Sequence, residues 1–263
     1  MEIVLLGTGT AVPVPDRFPS GVLVRDGAQT LLVDCGPGVL RRLAQTGVDL
    51  REVTTVLLTH YHTDHTADLA ALLFALRNPR YAGRGPLRLR GAPGLAALLG
   101  NLTAAWPWLS PKGYVLDVVE IEPGRVPLDA SGTVVDAFRV EHTSASLAYR
   151  ITGAGGGVAT FSGDADVCDG LVDAARNADL FVCDAAFPDE GRVEGHLTPG
   201  LAGQHAQAAG ARSLCLTHFY PECDGVDLAA QARATFDGEV VLGADLMRFT
   251  VLPGATSSIR ATP

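Results

Sequence analysis

At 263 residues, 47% of them hydrophobic and 19% charged, the chain has room for a layered core and is too apolar to be disordered. The net charge of −9 weighs against a surface built for nucleic-acid phosphates, whose affinity comes largely from Lys and Arg. The longest unbroken apolar run, LAALLFAL at 69–76, is far too short for a membrane span.

The predicted elements alternate along the chain. MEIVLLG reads as a first strand rather than a signal peptide, because it has no basic start and breaks at Gly7. VLVRDGAQTLLVDCG reads as two strands about the Asp26-Gly27 turn, and GVLRRLAQTG as a short helix ending at Gly47. The continuous apolar run VTTVLLT predicts a strand buried on both faces. Leu69, Leu72, Leu73 and Leu76 have helical spacing, which predicts a helix starting near Thr66. A strand near 87–90 and a helix near 94–105 follow, then strands near 115–121, 133–141, 146–152 and 157–162. GAGGG at 153–157 fits a turn between the last two. Helices near 168–177, 198–209 and 226–236 then alternate with strands near 179–183 and 213–217, and two strands close the chain. Hairpins mixed with strand–helix units predict an α+β fold of two sheets covered by helices, as one domain over 1–263. Five scattered cysteines without paired spacing argue against a disulfide framework and for a cytoplasmic protein.

The chain has seven histidines, and three stand within six residues of THYHTDHT, as His60, His62 and His65, with Asp64 between them. Imidazole and carboxylate at the C-terminal edge of a buried strand suit Zn and similar first-row metals. Alternating positions 60 and 62 point to one side and 64 and 65 to another, so one loop could feed two adjacent ions. Further candidates follow later strands: His142 in VEHTSASLAYR, Asp164 in ATFSGDAD, and His218 in LCLTHFYP. Taken singly, a strand-end His or Asp is more often structural. His205 matches no motif and reads as a surface residue. The run RNPRYAGRGPLRLR at 77–90 carries five arginines and no acid, and reads as a solvated loop or as an anion-binding one.

The HxHxDH segment resembles the signature of the metallo-β-lactamase superfamily, and the later His and Asp positions occur in that family's order. The resemblance runs from LLGTGTAVP to LTHFYP and implies the αββα metallo-β-lactamase sandwich. His62 stands where redox members carry glutamate, which favours hydrolysis. HTSASLAYR, FSGD, DAAF and GHLTP are similar to the ribonuclease Z branch. The resemblance implies two divalent metal ions per chain, zinc first, with manganese or iron also permitted by the ligand types. His60, His62 and His142 would hold one ion, Asp64, His65 and His218 the other, and Asp164 would bridge them. Ions so close share a water and bring its pKa towards neutrality. His196 in GHLTP would then protonate the leaving alkoxide. Asp184 stands where relatives commonly have glutamate, and is either the residue that orients His196 or a structural strand-end acid.

The resemblance departs from the tRNA-processing enzymes at two places. They carry a long arm between the His142-type and Asp164-type motifs, and PVPDRFPSG replaces a basic stretch of theirs. A small or cyclic phosphodiester is therefore the expected substrate, with RNA ranked behind it. A tRNA 3′ endonuclease is the alternative, and a lactone, thioester or β-lactam hydrolase a further one. Family precedent and AWPWL, with Trp106 and Trp108, suggest a homodimer, although those tryptophans read equally well as core.

Overall fold

The computed structural model describes residues 1–128 and 132–259. In chain order its elements are β1 (Glu2–Gly7), β2 (Gly21–Asp26), β3 (Gln29–Val33), α1 (Val39–Gln45), β4 (Thr55–Leu57), α2 (Thr63–Thr66), α3 (Asp68–Ala75), β5 (Leu87–Gly91), α4 (Leu95–Ala105), β6 (Leu116–Glu120), β7 (Gly124–Arg125), β8 (Val134–Arg139), β9 (Leu147–Thr152), β10 (Val158–Phe161), α5 (Asp169–Ala175), β11 (Leu180–Asp184), α6 (Pro199–Ala209), β12 (Ser213–Thr217), α7 (Leu228–Arg233), β13 (Glu239–Leu242), β14 (Arg248–Leu252) and β15 (Ala255–Ile259).

The strands form two mixed sheets. One runs β15-β14-β1-β2-β3-β4-β5-β6 and the other β13-β12-β11-β10-β9-β8-β7. Three cores separate four layers. Ile3, Leu5, Leu31, Val33, Tyr149 and Val182 meet between the sheets. Val4, Leu6, Leu23 and Leu32 point the other way, onto α1, α3 and α4. Phe181, Cys183, Leu214 and Leu216 face α5, α6 and α7. Successive strand residues alternate between two buried faces. That is why these strands read as unbroken apolar runs instead of alternating with polar residues. Each fully buried Leu or Ile contributes about 1.5–3 kcal/mol.

The sheets are joined at one edge. Leu147 N donates to Thr59 O at 2.9 Å, and Tyr149 Oη donates to Leu58 O at 2.8 Å. β4, β10, β11 and β12 all run towards this edge, and the chemistry-bearing residues follow their ends. β9 and β10 are joined by a turn at 153–157, closed by Gly153 N donating to Gly157 O.

Several expectations change. The leucine-bearing helix expected from near Thr66 is α3, starting at Asp68, and a separate single turn, α2, with His62 at its N-cap position, precedes it from Thr63. Three strands rather than two close the chain, because β14 and β15 form a hairpin beside β1. His205 is buried, not on the surface. Its Nδ1–H donates to Leu201 O at 2.8 Å, and its Nε2 faces Cys168 N at 3.4 Å.

Arg80 and Arg84 of the arginine run lie towards the N-terminal ends of β4 and β5, away from the histidines, whereas Arg90 lies near the C-terminal end of β5, beside Leu57. Arg84 is buried and donates to Val53 O, and Arg80 pairs with Asp49 at 2.8 Å. Arg77 donates to Trp108 O, and Arg90 is buried against Asp117 at 2.6 Å. These cations are engaged within the fold. Trp106 and Trp108 are exposed, at 47% and 58%.

Candidate metal centre

His60 follows β4, Asp64 and His65 sit on α2, and His142 follows β8. Asp164 and His218 follow β10 and β12 directly. The fold draws all of them, with His62, into one cluster. His60, His62, His142 and Asp164 present ligand atoms within 4.8 Å of one another, and so do Asp64, His65 and His218. Asp164 belongs to the first group and lies against the second. Its Oδ1 is 3.0 Å from His65 Nε2, and its Oδ2 is 3.6, 3.7 and 3.3 Å from the Nε2 atoms of His60, His142 and His218.

Backbone geometry aims these groups. His218 holds φ 64°, a conformation non-glycine residues rarely adopt outside constrained sites. Gly163 holds φ 60°, and a Cβ there would come within 2.6 Å of Thr59 Cβ. Only glycine lets the β10 end approach β4 closely enough to deliver Asp164 into the cluster.

The arrangement fits cations. The Nε2 atoms of His60, His65 and His218 and Oδ1 of Asp164 are buried without a hydrogen-bond partner among the described residues. Native interiors rarely leave such atoms unpaired. Most of the spacings are longer than a strong hydrogen bond. They match atoms that share an ion, because two ligands about 2.1 Å from a tetrahedral centre stand about 3.4 Å apart. His62 Nδ1 and His142 Nε2 face each other at 3.2 Å, where a cation would satisfy both lone pairs.

For His60, His65 and His142 the far side of the ring sets the tautomer. His65 Nδ1–H donates to Asp34 Oδ2 at 2.7 Å, and His142 Nδ1–H donates to Gly195 O at 2.7 Å. Thr59 Oγ1 donates to Asp34, so its lone pairs accept from His60 Nδ1–H at 3.1 Å. The Nε2 lone pairs of these three rings are thereby turned inward, the usual outer-shell device of metal sites.

The electrostatics agree. Burial, with the charge of His65, drives His60 down to about 2 despite Asp164, and burial also lowers His142. Burial alone would raise Asp164, but His218, His65 and His60 outweigh it and hold the carboxyl well below its usual range. Burial would lower His65, yet Asp164 and Asp34 on either side outweigh it and raise its pKa well above the usual value. The same two carboxylates would favour a bound cation at this ring.

His196 stands beside the cluster, its ring stacked on His218 with centroids 5.5 Å apart. Its Nδ1–H donates to Asp184 Oδ2 at 2.9 Å. Burial opposes the charged form of His196, but the Asp184 hydrogen bond and charge outweigh it and raise the pKa to about 8. Asp184 reaches His196 despite being one methylene shorter than glutamate. It ends the buried strand β11, and its backbone N–H donates to Ser162 Oγ, which seats it beside β10.

Asp34 is absent from the sequence-derived set. It follows β3 at φ 63°, is buried, and engages both Thr59 and His65. Its signal is the conformation, which the letters VDCG do not carry. Asp34→Ala frees the rings of His60 and His65 together. It is expected to weaken metal retention 10- to 100-fold, measured by chelator competition. Unchanged affinity would remove Asp34 from the ligand-orienting shell.

Comparisons with known proteins agree with this geometry. The family model described as "Beta-lactamase superfamily domain" matches residues 29–219. The chain is 32% identical to a ribonuclease Z of Mycobacterium bovis, covering 96% of this chain and 99% of that one. That alignment spans 281 positions, so the relative carries inserted residues this chain lacks. A ribonuclease Z of a Bradyrhizobium species is 30% identical, over 95% and 99% of the two chains. Among solved structures, the metallo-beta-lactamase fold protein YhfI of Bacillus subtilis superposes with a TM-score of 0.81 at 27% identity, over 94% and 97% of the chains. The short form of human tRNase Z gives 0.78 at 26%, over 95% and 99%. The chain belongs to the metallo-β-lactamase superfamily of metal-dependent hydrolases, in its ribonuclease Z-like branch.

Proposed function

We propose that this protein hydrolyses phosphodiesters as a ribonuclease Z-type enzyme. Two divalent cations, zinc first among them, would be held by His60, His62, His142, Asp64, His65, His218 and the shared Asp164. When bound, they supply Lewis-acid polarisation of the phosphate and a water of lowered pKa. The chain's own residues do the rest. Asp164 neutralises charge at the centre of the cluster. Asp184 holds the His196 ring by Nδ1, which leaves Nε2 to deliver a proton to a leaving alkoxide.

The buried Asp184–His196 pair beside the cluster carries this reading. A ribose alkoxide is a poor leaving group and needs such an acid. The name ribonuclease Z, shared by relatives 30–33% identical over nearly the whole chain, supports an RNA substrate. A second reading, small or cyclic phosphodiesters, rests on the turn at 153–157, which leaves no arm to grip a folded RNA. The net charge of −9 also weakens long-range attraction to a polyanion.

A hydrolysis panel on metal-replete protein separates the readings. It comprises a tRNA precursor, bis-p-nitrophenyl phosphate, cyclic nucleotides, a lactone and a chromogenic β-lactam. Phosphodiester turnover without lactone or β-lactam turnover is the expected result. Site-specific removal of the tRNA 3′ trailer assigns the nuclease. Turnover confined to small phosphodiesters assigns the second reading, and lactone or β-lactam turnover alone overturns both.

A further inference from the structure

A cleft of about 380 Å³ opens beside the cluster and ends on Thr63 and Asp64, a size suited to a small ligand. Its outer wall is the segment after β1, with Pro13, Val14, Pro15 and Phe18. These are apolar side chains where a phosphate-gripping surface would place Lys and Arg. Arg17 is the wall's single cation, and its Nη2 is engaged by Asp224 at 2.8 Å. The Nε–H of Arg17 is buried and has no acceptor among the described residues.

The wall is built in advance of any ligand. Asp245, on the connection between β13 and β14, ties both ends of the segment. Its Oδ1 accepts from Thr8 N at 3.0 Å and Thr8 Oγ1 at 2.9 Å, and its Oδ2 accepts from Phe18 N at 2.9 Å. Arg42 donates to the same carboxylate at 3.2 Å and lies over the Phe18 ring at 4.5 Å. Behind Phe18, Gly38 leaves no room for a Cβ, which would come within 2.0 Å of the ring. A wall held at both ends binds without a large ordering cost.

From these observations we infer that the cleft is the subsite for the group esterified to the phosphate, and that it selects an uncharged flat ring with a hydrogen-bond acceptor on its edge, the chemistry of a nucleobase. The inference rests on the phosphodiester reading of the cluster. Apolar walls favour a ring, and Arg17, held through Nη2 by Asp224 and lining the cleft as its one cation, presents a guanidinium suited to an acceptor on the ring's edge. Asp64 at the floor and Asp224 behind Arg17 disfavour an anionic occupant. Arg17 and Val14 are thereby specificity-determining residues.

Calorimetry on metal-loaded protein with methyl phosphate, phenyl phosphate and uridine 5′-monophosphate tests this without requiring turnover. The three share the phosphate and differ in the ester group. Affinity is expected to rise along the series, about tenfold or more from first to last, as ring burial and one charged hydrogen bond allow. Arg17→Met is expected to erase most of the gain of the uridine ester over the phenyl ester. Val14→Trp, at a half-exposed position, is expected to fill the cleft and erase the gain of both rings over methyl. Equal affinities, or variants that weaken all three ligands alike, would overturn the assignment. Hydrolysis of bis-p-nitrophenyl phosphate is followed in parallel. A binding ladder without turnover would sink the phosphodiesterase reading and keep the cleft as a ring site, and turnover without a ladder would do the reverse.

Discussion

Asp164→Ala is expected to abolish metal retention and turnover together. The side chain is buried, and its two oxygens lie 3.0–3.7 Å from the Nε2 atoms of His60, His65, His142 and His218. It is the one carboxylate that both ligand groups meet. Without it, the remaining donors that face a pair of ions are mostly neutral imidazoles. Two dications at short separation then repel with little negative charge between them. Elemental analysis of the unchelated protein is expected to show about two transition-metal ions per chain in the parent and far fewer in the variant. Added zinc should raise the parent's thermal stability, because a ligand bound only by the native state stabilises it by about 2.7 kcal/mol at a hundredfold excess over Kd. The variant should gain little. Asp164→Asn distinguishes charge from shape, since it keeps one oxygen and the volume. Full metal content in Asp164→Ala would show that the two groups load independently and that Asp164 is not shared.

Much of the cluster's placement is legible in the sequence. The cluster residues lie at ends of strands that read as unbroken apolar runs, and such runs are buried on both faces by physical necessity. A polar group ending such a strand meets the sheet edge, and four strands running the same way bring several such groups to one edge. What escaped is carried by conformation, not by residue type. Asp34 lies in a plain strand-end VDCG, and only its φ of 63° turns the carboxylate back onto Thr59 and His65. Asp245 is an isolated acid late in the chain, yet it fastens the segment around Phe18, more than two hundred residues away in sequence. The histidine motif itself is partly helical, with His62 extended at the N-cap position at φ −61° and ψ 152°, a feature that no spacing rule contains. The arginine run left two readings open for a related reason. Composition marks a charge cluster but does not say which end of a sheet it occupies. Here Arg80 and Arg84 bind Asp49 and Val53 at the end remote from the cluster.

His196→Ala should separate chemistry from metal binding, in contrast to Asp164→Ala. His196 is partly buried, hydrogen-bonded through Nδ1 to Asp184, and stacked on His218 at 5.5 Å. It is placed to give a proton rather than to anchor a cation. The other cluster residues supply ligand atoms without it. Asp184 matters because bound cations would drive the proton off an unsupported imidazole, whereas its carboxylate raises the pKa to about 8 and keeps the proton available. Metal content of the variant is therefore expected to match the parent. Turnover of a substrate with an alkoxide leaving group should fall roughly 10²- to 10⁴-fold, the range for a lost general acid. For bis-p-nitrophenyl phosphate the loss should be much smaller, since p-nitrophenolate departs without a proton. Asp184→Asn should show the same dependence on leaving group in weaker form, because the amide orients the ring but no longer favours its charge. Equal losses on activated and unactivated esters would take the acid role from His196. A parallel loss of metal would instead place it among the ligands, with Asp164 and His218 as its partners.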